Sequence, residues 1–351
     1  MQDRILRYAD ASATLALLGD HRLARLVDGA TPLGTGIGGT TALLDVGGVP
    51  VFVKRAPLTD RELRPENLRS TANMFDLPPR CQYGVGGPGF GAWRELAANT
   101  LTTNQVLTGR AGSYPLLYHW RVLPGAAPVA EEHADPEAAV AYWGGSAAVR
   151  DRLDALARAS HSLVLFLEYV PWNLGEWLRA QLDAGGDAVG AACALLERDL
   201  LPGTAAMGAH GVAHFDAHFR NVLTDGHRLY FADLGLATSL RFDLSPAERE
   251  FVAHNATHDD GYARMLLVNW LVTHVCGLDL ADTADRNAHV RRYAEGVAPA
   301  GAPEGVAATV VRYAPVAAAM NAFYWDLFGT SRATPYPAAE VGRALARERA
   351  T

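Results

Sequence analysis

The chain has 351 residues, of which 49% are hydrophobic, and a formal net charge of −7. This length and composition allow one bilobal unit or two domains with a large core, and the acidic balance disfavours a broad nucleic-acid surface. Three widely spaced cysteines predict reduced, mostly buried side chains in a cytoplasmic protein. We expect no signal peptide, no membrane-spanning helix and no membrane partner, because charges occur early and no run of about 18 apolar residues is present.

The first half of the chain combines strand signals with amphipathic helical patterns. A glycine-rich turn interrupts the first strand signal, and Pro171 ends the last one. In chain order, the patterns predict leading helices in residues 1–30, a strand–turn–strand over 31–46, a strand over 49–54, an irregular stretch over 55–90, a helix over 92–107, a β-like segment over 114–123, helical residues in 135–160 and a buried strand over 163–170.

The second half is mostly helical. We predict helices over 175–182 and 189–201, a short strand over 229–232, and helices from Ser245 onward, where Ser245-Pro246-Ala247-Glu248 is an N-terminal capping signal. The predicted fold class is therefore α+β. Its predicted parts are a β-rich N-terminal part (1–167), a connector (168–174) and an α-rich C-terminal part (175–351).

Glycines at Gly34, Gly36 and Gly39 match the spacing G-x-G-x-x-G. Glycines let backbone N–H groups approach phosphate oxygens without a side-chain clash, although a plain glycine-rich hairpin fits the same residues. A dinucleotide site would need a helix directly after the loop, whereas the residues that follow predict a strand. The spacing alone therefore favours a plain hairpin, and the same glycines become candidates for a phosphate-binding loop only together with Lys54 and the motifs that follow.

Lys54 lies fifteen residues after Gly39 in an otherwise apolar strand. A lysine there is either a solvated edge residue or a buried cation with a partner, and the neighbouring glycine loop favours a cation on the phosphates. Its partner should be a helical glutamate. Glu95 is our choice, while Glu62 and Glu66 compete with it.

Asp216 and Asn221 lie five residues apart, and Asp233 follows before Leu234-Gly235. Carboxylate and amide oxygens suit Mg²⁺, and phosphoryl transfer needs one further carboxylate at the acceptor hydroxyl. We therefore predict Asn221 and Asp233 as magnesium ligands and Asp216 as the residue that accepts the proton of the acceptor hydroxyl.

Histidines at positions 210, 214 and 218 suggest a zinc site as an alternative. Gly211 and the turn-like sequence argue against one continuous helix that presents all three. A zinc site would also leave the glycine loop, Lys54 and Asp233 unexplained. We expect His214 to have a structural role instead, holding the catalytic loop through a backbone contact.

These motifs together resemble the protein-kinase-like superfamily, which includes aminoglycoside and choline phosphotransferases. His214-Phe215-Asp216 stands where protein kinases carry His-Arg-Asp, and Asp233-Leu234-Gly235 is similar to Asp-Phe-Gly. Glu168-Tyr169-Val170 resembles the hinge, which implies that backbone groups of Glu168 and Val170 bind adenine and that Leu167 is the gatekeeper. The resemblance covers about residues 30–240 and implies a bilobal fold.

The departures from the protein-kinase pattern are informative. Phe215 replaces the arginine that pairs with an activation-loop phosphate in many protein kinases, so control by such phosphorylation is not expected. The segment from Asp233 to Ser245 is shorter than a usual activation loop. His218 gives the pattern Asp-x-His-x-x-Asn of aminoglycoside-type phosphotransferases, and the helical C-terminal region also suits that branch.

The resemblance implies an enzyme that moves the γ-phosphoryl of ATP to a hydroxyl with Mg²⁺ as cofactor. The most favoured acceptor is Ser or Thr of a protein or peptide, including a modified natural-product peptide. A small hydroxylated molecule such as an aminoglycoside is the alternative, and a catalytically silent kinase-like binding module is a third hypothesis. A polycationic acceptor needs carboxylates, for which the candidates are Asp243, Glu248, Asp259, Asp260 and Asp326.

Overall fold

The computed structural model describes residues 2–84 and 86–350 and is an α+β protein, as the sequence predicts. Its contacts divide the chain into two compact units. Unit 1 comprises Met1–Pro171 and Tyr230–Arg249, and unit 2 comprises Trp172–Leu229 and Glu250–Thr351. Residues 230–249 thus group with the N-terminal part, whereas the sequence placed them with the C-terminal part. Ion pairs of Asp233 and Glu248 with unit 1 side chains account for this grouping.

A five-stranded antiparallel sheet forms the centre of unit 1, in the order β1-β2-β3-β5-β4. Its second and third strands are joined by a turn at Gly47-Gly48. The chain of β3 is apolar and buried at alternate positions such as Val51 and Val53. The strands are β1 (Thr31–Gly36), β2 (Gly39–Val46), β3 (Val49–Leu58), β4 (Leu117–Pro124) and β5 (His161–Glu168).

Helix α3 of unit 1 spans Ala92–Leu107, the same residues that the sequence predicts. Trp93 and Leu96 on one side of this helix pack into a buried cluster with Leu58 and Leu165 of the sheet. This packing fixes the helix beside β3. The other α-helices that lie wholly in unit 1 are α1 (Gln2–Ala16), α2 (Asp20–Asp28), α4 (Pro136–Tyr142) and α5 (Ala147–Ala157).

Unit 2 is largely helical, and helix α9 packs there against α7, α10 and α11. A short antiparallel pair joins strands β6 and β7. The chain passes back to unit 1 within β8, and the second unit boundary falls within α8. The remaining elements are β6 (Trp172–Asn173), α6 (Leu174–Ala184), α7 (Gly186–Ala209), β7 (Val222–Thr224), β8 (Leu229–Phe231), α8 (Pro246–His254), α9 (His258–His274), α10 (Thr283–Ala294), α11 (Glu304–Gly329) and α12 (Ala338–Ala350).

Helix α11 is long and apolar enough to cross a membrane by length and composition alone, the one such helix among residues 2–84 and 86–350. It contacts α9, α10 and α12, and core helices of soluble proteins meet the same criterion. All three cysteines are free, with Cys81 and Cys276 buried and Cys193 half-buried, which confirms the predicted unpaired and mostly buried side chains.

Candidate functional site

Lys54 lies in the middle of β3, opposite Thr41 of β2 and Leu165 of β5. Its Nζ is 2.7 Å from Oε1 of Glu95 and 2.7 Å from Oδ1 of Asp233. The Lys54 and Glu95 side chains are each 6% exposed, whereas the Asp233 side chain is 47% exposed. The predicted pairing of Lys54 with Glu95 is confirmed, and Asp233 is a second partner of the same ammonium.

The two competing glutamates have other surroundings. Glu62 is buried, but its carboxylate pairs with Arg152 at 2.9 Å and accepts hydrogen bonds from Thr59. Burial opposes the charge of Glu62, yet Arg152 and Thr59 outweigh it and lower the pKa of that carboxyl. Glu66 is exposed. Neither residue is the partner of Lys54.

Glu62 nevertheless contributes to the position of Glu95. Its Oε1 accepts a hydrogen bond of 2.8 Å from the N–H of Ala92, the first residue of α3, and its backbone carbonyl accepts one from the indole of Trp93. A carboxylate at this place satisfies an orphan donor and complements the helix dipole. The start of the helix is thus fixed one turn from Glu95.

The charge state of Lys54 follows from its two partners. Burial alone disfavours the ammonium, but the negative charges of Asp233 and Glu95 outweigh burial and raise the pKa of Lys54 above its ordinary value. Lys54 is therefore a cation throughout the neutral range. Of the 31 lysine and arginine residues in the chain, Lys54 is the single lysine. That composition is a signal for this position which our sequence analysis did not use.

Asp233 has a backbone conformation that is unusual for its residue type. Its φ of 54° and ψ of 68° lie in the left-handed region, which non-glycine residues seldom adopt. A Cβ at Gly235 would lie 3.4 Å from Oδ1 of Asp233 and 3.5 Å from Oε2 of Glu95. Strain of this kind is often kept at functional sites, and here it accompanies the carboxylate that faces both Lys54 and solvent.

The glycine-rich segment forms a tight hairpin in which Gly36 pairs with Gly39. Gly39 has a φ of 113°, and a Cβ there would lie 1.9 Å from the carbonyl oxygen of Arg55, so the fold itself requires glycine. Gly34 and Gly36 leave room for a side chain. Sequence reasoning missed Gly38, where a Cβ would lie 2.7 Å from Nζ of Lys54.

Glu168 ends β5, and its side chain is buried against Arg4 of α1. The two groups form a bidentate pair with distances of 2.8 and 2.6 Å. The Glu168 N–H donates to the carbonyl of Leu116, and the Leu116 N–H donates back to the carboxylate. Val170 is half-buried in the stretch after the strand. The Glu168 side chain thus has a structural role, while backbone contacts of Glu168 and Val170 with adenine stay a prediction.

Asp216 and Asn221 belong to unit 2 and contact each other directly. Nδ2 of Asn221 donates to the backbone carbonyl of Asp216 at 3.0 Å and to its Oδ2 at 3.0 Å. This orientation of the amide makes Oδ1 the atom of Asn221 suited to a hard cation. The Asp216 side chain is 25% exposed, so solvent reaches this carboxylate.

The loop that carries Asp216 is fixed by two further side chains. Nδ1 of the fully buried His214 accepts a hydrogen bond of 3.3 Å from the Asp216 N–H, which confirms the structural role predicted for this histidine. The carboxylate of Asp259 accepts from the N–H groups of His214 at 2.6 Å and Phe215 at 2.9 Å. Phe215 has a φ of 63°, so Asp259 stabilises a strained turn beside Asp216.

Asp259 was predicted only as a candidate carboxylate for a cationic acceptor, and its role in the loop was missed. Burial opposes its charge, but hydrogen bonds and charges from His258 and His214 outweigh burial and lower the pKa of Asp259. A carboxylate that is only 12% exposed and accepts from two backbone donors does not bind a solvated polycation.

The other candidate carboxylates divide into two groups. Glu248 is buried and paired with Arg94 at 2.7 Å, and Asp260 accepts from Thr204 at 3.0 Å and lies 3.7 Å from Arg264. Asp243 and Asp326 are exposed. Three of the five carboxylates proposed for a cationic acceptor are thus engaged within the protein.

The three histidines of the zinc alternative do not share a helix. Helix α7 ends at Ala209, His210 follows as its C-terminal cap, and Gly211 has a φ of 75°. The chain therefore turns before His214, as the sequence analysis expected.

We scanned the chain against protein-family models and searched curated proteins for relatives, and neither comparison gave a match.

Proposed function

We propose that this protein is an ATP-dependent O-phosphotransferase with a bilobal protein-kinase-like fold, which moves the γ-phosphoryl of Mg·ATP to an acceptor hydroxyl. The observation that carries the proposal is the ammonium of Lys54, held 2.7 Å from both Glu95 and Asp233 under a glycine hairpin. A buried lysine with one buried and one half-exposed carboxylate is the arrangement that phosphoryl-transfer enzymes use to bind nucleotide phosphates and metal.

The residues fit Mg²⁺ and ATP by their chemistry. Asp233 and Asn221 offer oxygen atoms, which Mg²⁺ prefers, and the metal neutralises phosphate charge when it is bound. Lys54 binds phosphate oxygens as a compact cation, and Gly34, Gly36 and Gly39 allow backbone N–H groups to approach them. Backbone groups at Glu168 and Val170 bind adenine in this proposal.

Asp216 aligns the acceptor hydroxyl and takes its proton. The acceptor oxygen forms a bond to the γ-phosphorus, the bond from that phosphorus to the β,γ-bridging oxygen breaks, and ADP leaves with the electron pair. The hydrogen bond from Asn221 and the contact with His214 hold Asp216 in one orientation. Positioning and charge stabilisation supply most of the rate.

We propose Ser or Thr of a protein or peptide as the acceptor, in the cytoplasm. The observation that favours it over a polycationic aminoglycoside is the engagement of Glu248, Asp259 and Asp260 within the protein. The third hypothesis, a silent module, has no chemical need for Lys54, Asp233, Asp216 and Asn221 together.

Two alanine variants test the phosphotransferase proposal. Asp216→Ala should bind Mg·ATP like the parent protein in a thermal-shift titration but lower turnover about 10²–10⁴-fold. Asp233→Ala should lose the shift that depends on both Mg²⁺ and ATP, and with it all turnover. Transfer from γ-labelled ATP is measured to a Ser/Thr peptide library and, in parallel, to aminoglycosides.

Asp326→Ala is the matched control, because this aspartate is exposed. It should equal the parent protein in both assays. Normal turnover by Asp216→Ala would contradict the role of that residue. Transfer to aminoglycosides alone would replace the peptide acceptor with a small molecule, and nucleotide binding without transfer or hydrolysis would leave only a binding module.

A further inference from the structure

Contacts between charged side chains connect the segment Tyr230–Arg249 of unit 1 to helix α3 at two places, one near the start of the segment and one near its end. Near its start, Asp233 shares the ammonium of Lys54 with Glu95 of α3. Near its end, Glu248 pairs with Arg94 at 2.7 Å, and these side chains are 5% and 2% exposed. Arg94 and Glu95 are consecutive residues, so both ties act on the same helical turn.

Arg94 is held on more than one side. Its Nε donates to the carbonyl of Thr71 at 2.7 Å, and its guanidinium lies 4.9 Å from the ring centroid of Phe90. The hydroxyl of Thr71 in turn accepts from the N–H of Asp243, which belongs to the same segment as Glu248. The guanidinium therefore has a single fixed position between α3 and residues 243–248.

Glu248 is equally fixed, because each of its two oxygens has its own role. Oε2 accepts from the N–H and the hydroxyl of Ser245, both at 2.9 Å, which completes the capping box predicted for this helix start. Oε1 accepts from Arg94. The cap thus orients a carboxylate toward Arg94 without any further group.

Consecutive residues of an α-helix point about 100° apart, so fixing the direction of Arg94 fixes the direction of Glu95. In kinase-like enzymes, the ion pair between a strand lysine and a helix glutamate must be in place for activity. Activation-loop phosphorylation controls this pair through new arginine–phosphate pairs. Here a glutamate, Glu248, supplies the anion that pairs with an arginine of this helix.

We infer that the Arg94–Glu248 pair is a built-in substitute for an activating phosphate, which holds Glu95 against Lys54 permanently. This inference rests on the phosphotransferase function proposed above and concerns its regulation: the unmodified protein is active, and Arg94 and Glu248 are positioning residues. Phe215 stands where many protein kinases carry the arginine that pairs with a loop phosphate, so a phosphate would lack that partner here. The carboxylate of Glu248 makes such a phosphate unnecessary.

The test uses the full chain and a readout that does not need activity. Lys54 is the single lysine, so its acylation by an amine-reactive reagent reports on this one side chain. Mass spectrometry of the peptide that contains Lys54 gives the acylation rate. Glu248→Ala should raise that rate at least about tenfold, since Lys54 loses Glu95. Amide exchange along residues 92–107 should rise with it, and kcat should fall more than the KM for ATP changes.

Glu348→Ala is the matched control, because it removes an equally buried pair with Arg264 in unit 2. Each protein is assayed at the same number of degrees below its own Tm. Under that condition, the acylation rate of Lys54 in Glu348→Ala should stay within twofold of the rate in the parent protein. If Glu248→Ala does not fold, Glu248→Gln replaces it; this variant keeps the side-chain volume and one acceptor oxygen but not the charge, and it should raise acylation by a smaller factor.

The outcomes separate the two proposals. Parent protein that carries no phosphate by intact mass should transfer phosphoryl groups at full rate, and phosphatase treatment should change kcat less than twofold. Unchanged Lys54 acylation in a folded Glu248 variant, or activity that requires phosphorylation, overturns the inference. Increased acylation in a protein without any transfer activity supports the positioning role and overturns the proposed function instead.

Discussion

Units 1 and 2 each hold part of the proposed machinery, but they fix their side chains by different forces. In unit 1, one ammonium lies between two carboxylates, and two of these three side chains are only 6% exposed. In unit 2, the Asp216 loop is held by hydrogen bonds that its backbone N–H groups donate to the side chains of His214 and Asp259, and the Asp216 side chain is 25% exposed.

This difference matches the tasks proposed for the two regions. A buried cluster of charges has a strong and fixed field, which suits the binding of phosphates and metal. A loop held at its backbone leaves the carboxylate of Asp216 open to the acceptor hydroxyl proposed above. Both regions store backbone strain, at Asp233 with a φ of 54° and at Phe215 with a φ of 63°.

The largest effect should follow from removing the cation of unit 1. Lys54→Met leaves the buried carboxylate of Glu95 without its partner, so we expect a loss of about 3–5 kcal/mol in the free energy of unfolding. The measurement is urea unfolding followed by circular dichroism.

The double variant Lys54→Met/Glu95→Met is the control for that experiment. It removes both charges of the pair and should recover a large part of the lost stability, because a buried ion pair can often be replaced by apolar side chains. A single variant as stable as the parent protein would show that the charges of unit 1 do not stabilise it.

A smaller effect is expected from the loop of unit 2. Asp259→Asn keeps the shape of the side chain, but its single carbonyl oxygen can accept from only one of the His214 and Phe215 N–H groups, and its amide nitrogen faces the other. The free energy of unfolding should fall by about 1.5–3 kcal/mol at pH 7. Asp326→Asn, at an exposed position, should stay within about 0.5 kcal/mol of the parent.

The pH dependence of the Asp259→Asn effect has a definite sign. The folded-state pKa of Asp259 is lowered, so its stabilisation is present above the unfolded value of about 3.9 and is lost as pH falls through the folded value. The gap between the parent and Asp259→Asn should therefore close in acid. Faster amide exchange at residues 214–215 of the variant at pH 7 is the local readout, and unchanged exchange there would contradict the anchoring role.

Much of unit 1 could be predicted because its signals are local. Periodicity defines α3 from Ala92 to Leu107, and the lysine in an apolar strand points to a helical glutamate. What stayed ambiguous was the choice among three glutamates. It depends on Arg152, which lies 90 residues from Glu62 and takes that carboxylate away from Lys54.

Long-range contacts also explain where predicted element bounds differ from the structure. Strand β4 begins at Leu117 rather than Tyr114, since the Leu116 N–H donates to the carboxylate of Glu168. Helix α7 continues through Pro202 to Ala209, although proline normally ends a helix. Buried Thr204 and Met207 beyond the proline show that packing there outweighs the cost.

The role of Asp259 and the pairing of Glu248 with Arg94 could not be predicted from local pattern. Both are acidic residues near helix starts, and the partners that bury them lie 45 residues away at His214 and 154 residues away at Arg94. One compositional signal was available, however. Position 54 carries the single lysine of the chain, and all the remaining lysine and arginine positions carry arginine.

The smallest effect we predict is a shift in the titration midpoint of Lys54, which is measured without any change in the free energy of unfolding at neutral pH. Chains labelled with ¹³Cε-lysine give one lysine resonance, because Lys54 is the single lysine. Its titration midpoint should lie above the ordinary value of about 10.4, since the charges of Asp233 and Glu95 outweigh burial and raise the pKa. The stabilisation by these pairs is complete below the unfolded value and is lost as pH rises through the folded value. The urea-unfolded chain supplies the reference, and a folded midpoint at or below it would mean that burial dominates in unit 1 and that the ammonium is not held by its carboxylates.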